Sequence, residues 1–305
     1  MRFTLTDEQS GFARSIDDLL SGAGVPAVIR SWAAGDSGPG LKLWDRLADL
    51  GVTSLCDPDV GATPADVVVA FEQLGRHAVP GPWVESAVVV PSLLGHAVEG
   101  IATFGVPLAL DADIADVSYC VAGESLCTAE PGDLVPSIDP ARRLFQLEIG
   151  DPVAALDSRT EVQALDLATL AVSAQLVGAG YRVLEDAVEY AKARVQFGKP
   201  IGQQQAVKHL LADAKVALDF ARPLVWGAAL SVSPRDVSAA KVAAGDAAYA
   251  ASRAALQAHG AIGYTEEYDL SLWLLKIRAL RSAWGSPSYH RGRVLDALVS
   301  QGTEA

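Results

Sequence analysis

From Val162 to near position 283 the apolar side chains recur at steps of three and four, with Leu165, Val172, Leu176, Ala179, Val183, Ala187 and Tyr190 on one stripe. That period commits the segment to amphipathic helices that must bury one face against one another. The first helix is predicted to end near Gly198 and Pro200, where the donor-less ring cannot continue it. Further helices are predicted over about 205–229, 236–257 and 269–283. The 236–257 segment is dense in alanine (Ala239, Ala240, Ala243, Ala244, Ala247, Ala248), which lets neighbouring backbones approach closely in a bundle.

The first hundred residues read as shorter helices joined by turns. Thr6 with Gln9 three positions on has the form of a capping box, and Phe12, Ile16, Leu19 and Leu20 follow at helical spacing. A Gly/Ser/Pro stretch at 35–40 precedes Leu43, Trp44, Leu47 and Leu50, with Gly51 as the stop. Thr63, Pro64 and Asp66 form a helix start that leads into Val68, Phe71 and Leu74, with a stop expected at Gly75. Pro80, Pro82 and Pro91 predict a bend-rich connector.

Between 101 and 157 the period changes to short apolar runs such as Val117–Ala122 and 144–149, separated by Gly, Pro and Asp. These predict short strands. The expected division is a helical domain over 1–100, a small β-domain over 101–157 and a helical bundle over 158–305. No internal repeat or low-complexity tail is visible.

The 305 residues carry a net charge of −13, which disfavours nucleic acid or an anionic membrane as a partner, because both need a basic footprint. Half the residues are hydrophobic, yet no uninterrupted apolar run approaches the roughly 20 residues of a membrane span. The acidic opening with Asp7 and Glu8 lacks the apolar core of a secretory signal, so a cytoplasmic location is expected. Three cysteines, Cys56, Cys120 and Cys127, form no C-x-x-C pair and read as buried or idle thiols rather than metal ligands.

Two segments carry the functional signal. One is Arg194-Val-Gln-Phe197-Gly198-Lys-Pro200-Ile201-Gly-Gln-Gln-Gln205, and the other is Gln257-Ala-His-Gly260-Ala-Ile-Gly263-Tyr264-Thr265-Glu-Glu-Tyr268. In this order they resemble the acyl-CoA dehydrogenase family, whose pattern is R-x-x-F-G-x-P-I-x-x-x-Q followed by Q-x-x-G-G-x-G-Y-T-x-E-Y. The segments Trp44–Gly51 and Phe71–Arg76, and the opening from Phe3 to Gln9, are similar to the family as well. The resemblance implies a mainly α fold with a small β-domain: an N-terminal helical domain, a truncated middle β-domain and a C-terminal four-helix bundle.

It also implies FAD. Arg194 offers a planar fork of donors to phosphate oxygens, Phe197 a face for adenine, and Gln205 a hydrogen bond to the base edge or a phosphate. Gln257 and the turn from Gly260 to Gly263 present backbone N–H groups where a side chain would block approach. In the family these groups reach the adenine and pyrophosphate of the neighbouring subunit's FAD. The same residues admit purely structural readings: Arg194 as a partner for helix-end carbonyls, Phe197 as core, the glycines as a helix stop, and His259 as a packed or solvated side chain.

The sequence departs from the family where chemistry begins. Family members remove an α-proton of an acyl-CoA with a glutamate while the β-hydrogen passes as hydride to the flavin. At the position where most members carry that base this chain has Trp284. At the alternative position, 26 residues before the arginine, it has Ala168. Of the nearby carboxylates, Glu185 and Glu189 read as a solvated helix face and Asp166 as a helix-start residue. The Thr-Glu-Pro-x-(Ala/Gly)-Gly-Ser-Asp run that seats the flavin ring has only a partial echo in Thr128-Ala-Glu130-Pro131-Gly132.

The expectation is therefore a subunit without a catalytic residue of its own, from a heteromeric, α2β2-type acyl-CoA dehydrogenase like those of actinobacterial steroid breakdown. A full-length homologous partner would supply the glutamate, the acyl-CoA pocket and the flavin-ring site. An electron-transferring flavoprotein is the implied electron acceptor. Two alternatives stay open: a self-sufficient homodimer with an unrecognised base such as Asp166, and a flavin-free structural subunit.

Overall fold

A computed structural model describes residues 4–303; Phe3, in the family-like opening, lies outside them. The chain divides into two compact units. Leu5–Ala70 and Val79–Ala171 form one, and Phe71–Ala78 with the chain from Val172 onward forms the other.

In the first unit, α1 (Asp7–Ser21) starts at the predicted box. Thr6 Oγ1 accepts the Gln9 N–H at 3.1 Å while Gln9 Oε1 accepts the Thr6 N–H at 3.2 Å. The Gln9 amide also donates to Asp66 at 3.0 Å, and Asp66 in turn accepts from the Thr63 N–H and hydroxyl. One glutamine thereby ties the start of α1 to the start of α4 (Pro64–Arg76). The sequence reading missed α2 (Val25–Ala33), which is short but opens on a proline in its first turn. Its Trp32 is buried under Gly40 of α3 (Gly38–Asp49), where any Cβ would strike the indole ring. The Trp32 N–H donates to the buried Asp111 at 3.0 Å, and Arg143 closes on Asp111 and Asp113 at 3.3 and 2.7 Å.

The proline-rich connector is more ordered than expected. A π-helical turn, Glu85–Val89, continues into α5 (Val90–Leu94). Burial of Ala87, Val88, Val89 and Val90 favours a hydrogen-bonded backbone, and Pro91, which has no N–H to donate, follows directly on the π-helical turn. Trp83 stacks on Trp44 with ring centroids 3.8 Å apart.

Five strands follow: β1 (Ala102–Phe104), β2 (Leu108–Leu110), β3 (Val117–Ala122), β4 (Ser125–Val135) and β5 (Leu144–Ala155). They form one sheet in the order β1-β3-β4-β5-β2, antiparallel except for β1 against β3. The expectation of short strands fails for β4 and β5, which span 11 and 12 residues. Their pairing has three irregularities, and the one between Pro131 and Leu134 admits Pro131 and Gly132 without ending the ladder. Cys120 and Cys127 face each other across β3 and β4 and are buried. Burial pushes the Cys56 thiol up to about 11, partly offset by its hydrogen bond with Ser92.

In the second unit Gly75 is not the helix stop expected from sequence; α4 runs through it to Arg76. A Cβ on Gly75 would enter the Gln175 backbone, and one on Gly178 would strike the Glu72 carbonyl. The two glycines let α4 touch α6 (Ser158–Ala193) backbone to backbone. By length and composition α6 could cross a membrane, an exception to the sequence expectation, but 78% of its apolar window is buried inside the protein.

α6 ends at Ala193, before the predicted Gly198, and the chain turns back through a two-strand hairpin, β6 (Val195–Gln196) and β7 (Lys199–Pro200). Then come α7 (Gln205–Ser231), α8 (Pro234–His259), α9 (Leu270–Ser282) and α10 (Pro287–Thr303), the last not anticipated. Gly180 of α6 lies against Leu218 of α7 and Ala248 of α8. Ala240, Ala244, Ala247, Ala248 and Ala251 are all buried, the close packing that the alanine content predicts. The fold is mainly helical with a small mixed sheet, as expected.

Candidate functional site

Both motif segments start where a long helix of the second unit stops. The Arg194 N–H donates to the Tyr190 carbonyl at 2.8 Å, closing the last turn of α6, and the Arg194 carbonyl accepts the Ile201 N–H at 2.8 Å, closing the base of the hairpin. At its tip Phe197 and Gly198 have φ of 53° and 78°. Two consecutive left-handed residues make the tight turn that suits the strand twist. Glycine adopts it freely, whereas a phenylalanine there costs roughly 1–2 kcal/mol. The Phe197 side chain is 92% exposed, so the core reading of this residue is excluded: the strained position holds a ring out into solvent.

Arg194 is exposed, and among the described residues it has no carboxylate partner. Ile201–Gln203 make a short 3₁₀ turn whose Gly202 sits against the Ala191 carbonyl on the last turn of α6. Gln205 follows, exposed, at the first position of α7, whose N-cap Gln204 makes no side-chain capping bond.

The second segment begins in the last turn of α8 with Gln257, exposed. Gly260 caps that helix at φ 64° and ψ −138°, a conformation essentially restricted to glycine, and nothing lies within 4 Å of where its Cβ would be. It is a helix stop and also an unobstructed stretch of backbone. Gly263 is different. It is buried, and a Cβ there would sit 3.1 Å from the His259 and Leu256 side chains, so this glycine permits the 3₁₀ turn Gly260–Tyr264 to fold back on α8. Ile262 and Tyr264 are exposed on it, and Thr265 donates to the Ile262 carbonyl at 2.8 Å.

His259 is buried, as the packed reading expected. Its ring stacks on Tyr190 at 4.3 Å between centroids and meets Tyr268 at 5.2 Å. Tyr190 lies one turn before Arg194 and His259 immediately before Gly260, so this stack brings the two segments to one end of the bundle.

The positions that would start the reaction look different. Trp284 has φ 57° and Gly285 φ 110°. The buried His290 of α10 donates its Nε2–H to the Trp284 carbonyl at 2.9 Å, and its Nδ1 accepts from the Ser238 hydroxyl at 3.1 Å; Ser238 also accepts from Arg293. Burial pushes the imidazole down to about 4, with the Lys241 and Arg293 charges in the same direction and the Trp284 carbonyl opposing. The neutral ring is the form that this hydrogen-bond pattern requires. Lys241, also buried, donates to the Leu280 and Arg281 carbonyls at 3.1 and 3.0 Å and caps α9. From 270 to 295 the sequence has no Asp or Glu.

Ala168 is fully buried in the first unit. Asp166 is not a helix-start residue. It lies two turns into α6 and is 2% exposed, because the helix begins earlier, at Ser158, than the apolar pattern indicated. Glu185 pairs with Arg76 and Glu189 with Lys192, each at 2.6 Å on the surface, as a solvated face would. Thr128, in the partial echo of the flavin-ring run, is engaged within its own sheet: its hydroxyl accepts from the Asp151 N–H at 3.1 Å and donates to the Asp151 carbonyl at 3.3 Å.

The second unit thus offers an exposed guanidinium, an exposed aromatic face, two glutamine amides and an open glycine backbone, a donor set that fits the phosphates and adenine of a dinucleotide. The fold is that of the acyl-CoA dehydrogenases. A chain of the steroid ACAD Tcur3481–Tcur3483 superposes with a TM-score of 0.85 at 20% identity, over 99% of this chain and 100% of that one. The ChsE4–ChsE5 complex from Mycobacterium tuberculosis gives 0.83 at 19% identity, over 98% and 99%.

Sequence comparison carries this from fold to family. Residues 159–299 match the acyl-CoA dehydrogenase C-terminal domain. The acyl-CoA dehydrogenase IpdE2 of Mycobacterium tuberculosis is 30% identical, over 93% of this chain and 95% of its own length. The chain belongs to the acyl-CoA dehydrogenase family, flavoprotein oxidoreductases that act on CH–CH groups with FAD.

Proposed function

We propose that this chain is the non-catalytic subunit of a heteromeric FAD-dependent acyl-CoA dehydrogenase, holding the nucleotide end of a cofactor shared with a full-length homologous partner. The observation that carries this reading is a contrast within one unit. Arg194 and Phe197 stand exposed, one without a carboxylate partner among the described residues and the other on strained backbone. The base position, at the other end of α8, holds Trp284 under a buried histidine lock.

When bound, FAD supplies the hydride acceptor. This chain contributes binding and orientation. Arg194 donates to the phosphates, Phe197 covers the adenine face, and Gln205, Gln257 and the Gly260–Gly263 backbone complete the grip. Neither Trp284 nor Ala168 can take a proton, so the abstraction of the α-proton belongs to the partner's carboxylate. Asp166 is too buried to serve in its place.

The proposed substrate is a bulky, steroid-derived CoA thioester, a reading supported by the likeness to the steroid ACAD pair. The complex works in the cytoplasm as a heterodimer or α2β2 tetramer and passes electrons to an electron-transferring flavoprotein. Co-expression with the partner should give a yellow complex with a single FAD for each unlike pair. Arg194→Ala in that complex should lower FAD affinity by about 1.5–3 kcal/mol, the worth of a charged hydrogen bond. An unchanged flavin content would leave this chain a flavin-free scaffold, and a yellow homomer that oxidises an acyl-CoA would make it self-sufficient.

A further inference from the structure

We propose that His259 is a positioning residue that fixes the Arg194 hairpin relative to the Gly260 turn, acting through the ring of Tyr190; this rests on the nucleotide-binding reading above. His259 is the last residue of α8 and 4% exposed. Its Nδ1 lies 2.8 Å from the Ala255 carbonyl. A carbonyl only accepts, so Nδ1 carries a proton, and in the neutral ring Nε2 is then left with a lone pair. Nε2 is buried and has no hydrogen-bond partner among the described residues.

A buried orphan acceptor is destabilising, and a phenyl ring would fill much the same space without one. Stability alone therefore does not explain a histidine here. What the imidazole has and a phenyl lacks is a hydrogen bond that fixes the plane of the ring. That plane is the surface on which Tyr190 lies, 4.3 Å away and inclined by 26°. Tyr190 in turn gives its carbonyl to the Arg194 N–H, and Arg194 gives its own to Ile201. The ring of Tyr268, from the end of the second motif, closes the other side at 5.2 Å. One locked ring thus joins the base of the arginine hairpin to both ends of the glycine turn.

The test uses the co-expressed complex and reads FAD dissociation together with thermal unfolding. His259→Phe should leave the midpoint of unfolding of the flavin-depleted complex unchanged or raise it, because the orphan acceptor is gone, while FAD binds about three- to tenfold more weakly. A merely structural role would move both readouts in the same direction. In an Arg194→Ala background the same substitution should cost less than in the parent complex, since part of what His259 positions is already gone.

Three results overturn the inference. The His259→Phe complex could fail to assemble or lose stability in its flavin-depleted form, which makes the residue a folding element. FAD affinity could fall by the same factor with and without Arg194, which makes the effect independent of the hairpin. Or it could stay unchanged in His259→Phe while Arg194→Ala weakens it, which leaves the nucleotide reading intact and removes His259 from it. If Arg194→Ala is itself without effect, the nucleotide reading fails and this inference fails with it.

Discussion

The imidazole of His290 holds the carbonyl of Trp284 at 2.9 Å. The residue at the family's base position is thereby clamped in a left-handed conformation by a side chain from the following helix, with Ser238 behind it. The loop is a fixed element, and restoring a carboxylate to it does not restore the rest of a catalytic site.

Trp284→Glu in the chain alone is accordingly expected to give no acyl-CoA oxidation. The clamp would hold the new carboxylate, but Thr128 remains tied to Asp151 in its own sheet and no flavin-ring site is added. A dye-reduction assay with a range of acyl-CoAs checks this; turnover above the parent chain would contradict the assignment of the chemistry to the partner.

The same clamp makes stability depend on pH. His290 is driven by burial from 6.5 to about 4, so between these values the unfolded chain binds a proton that the native chain does not. The contribution is full above pH of about 6.5 and declines as pH falls toward about 4, by up to about 3 kcal/mol. Urea unfolding at steps across this window should show the decline, and His290→Gln should flatten it while lowering stability at neutral pH.

At Phe197 stability and function are expected to pull apart. Asparagine tolerates the left-handed region better than phenylalanine, so Phe197→Asn should stabilise the chain by up to about 1 kcal/mol. It removes the aromatic face, and FAD affinity in the complex should fall several-fold. Thermal unfolding and flavin titration of the same preparation separate the two effects.

Two glycines should respond in opposite ways to alanine. Gly75→Ala places a methyl in the Gln175 backbone and should cost about 1–3 kcal/mol or more through overpacking. Gly11→Ala, within α1 and with nothing inside 4 Å of the new Cβ, should stabilise by about 0.5–1 kcal/mol. Shifts of the urea midpoint in opposite directions check both.

The sequence by itself determined the local features. Helical spacing located α7, α8 and α9 to within a few residues, the Thr6 box located the start of α1, and the order and wording of the two motifs identified the family. These are legible because a helix period, a cap and a glycine turn are each fixed by residues a few positions apart. The Trp284 and Ala168 substitutions were visible in the same way.

Only the tertiary structure decided what depends on residues distant in the chain. Gly75 reads as a stop until Gln175 is found against it, and Asp166 as a helix start until it is seen buried within α6. Phe197 could be core or surface until its φ and exposure are known. Nothing in the spacing of Trp284, His290 and Ser238 announces a hydrogen-bonded clamp. Close approach and burial are set by which helix faces meet, and a one-dimensional pattern records that a face is apolar without recording what lies on the other side.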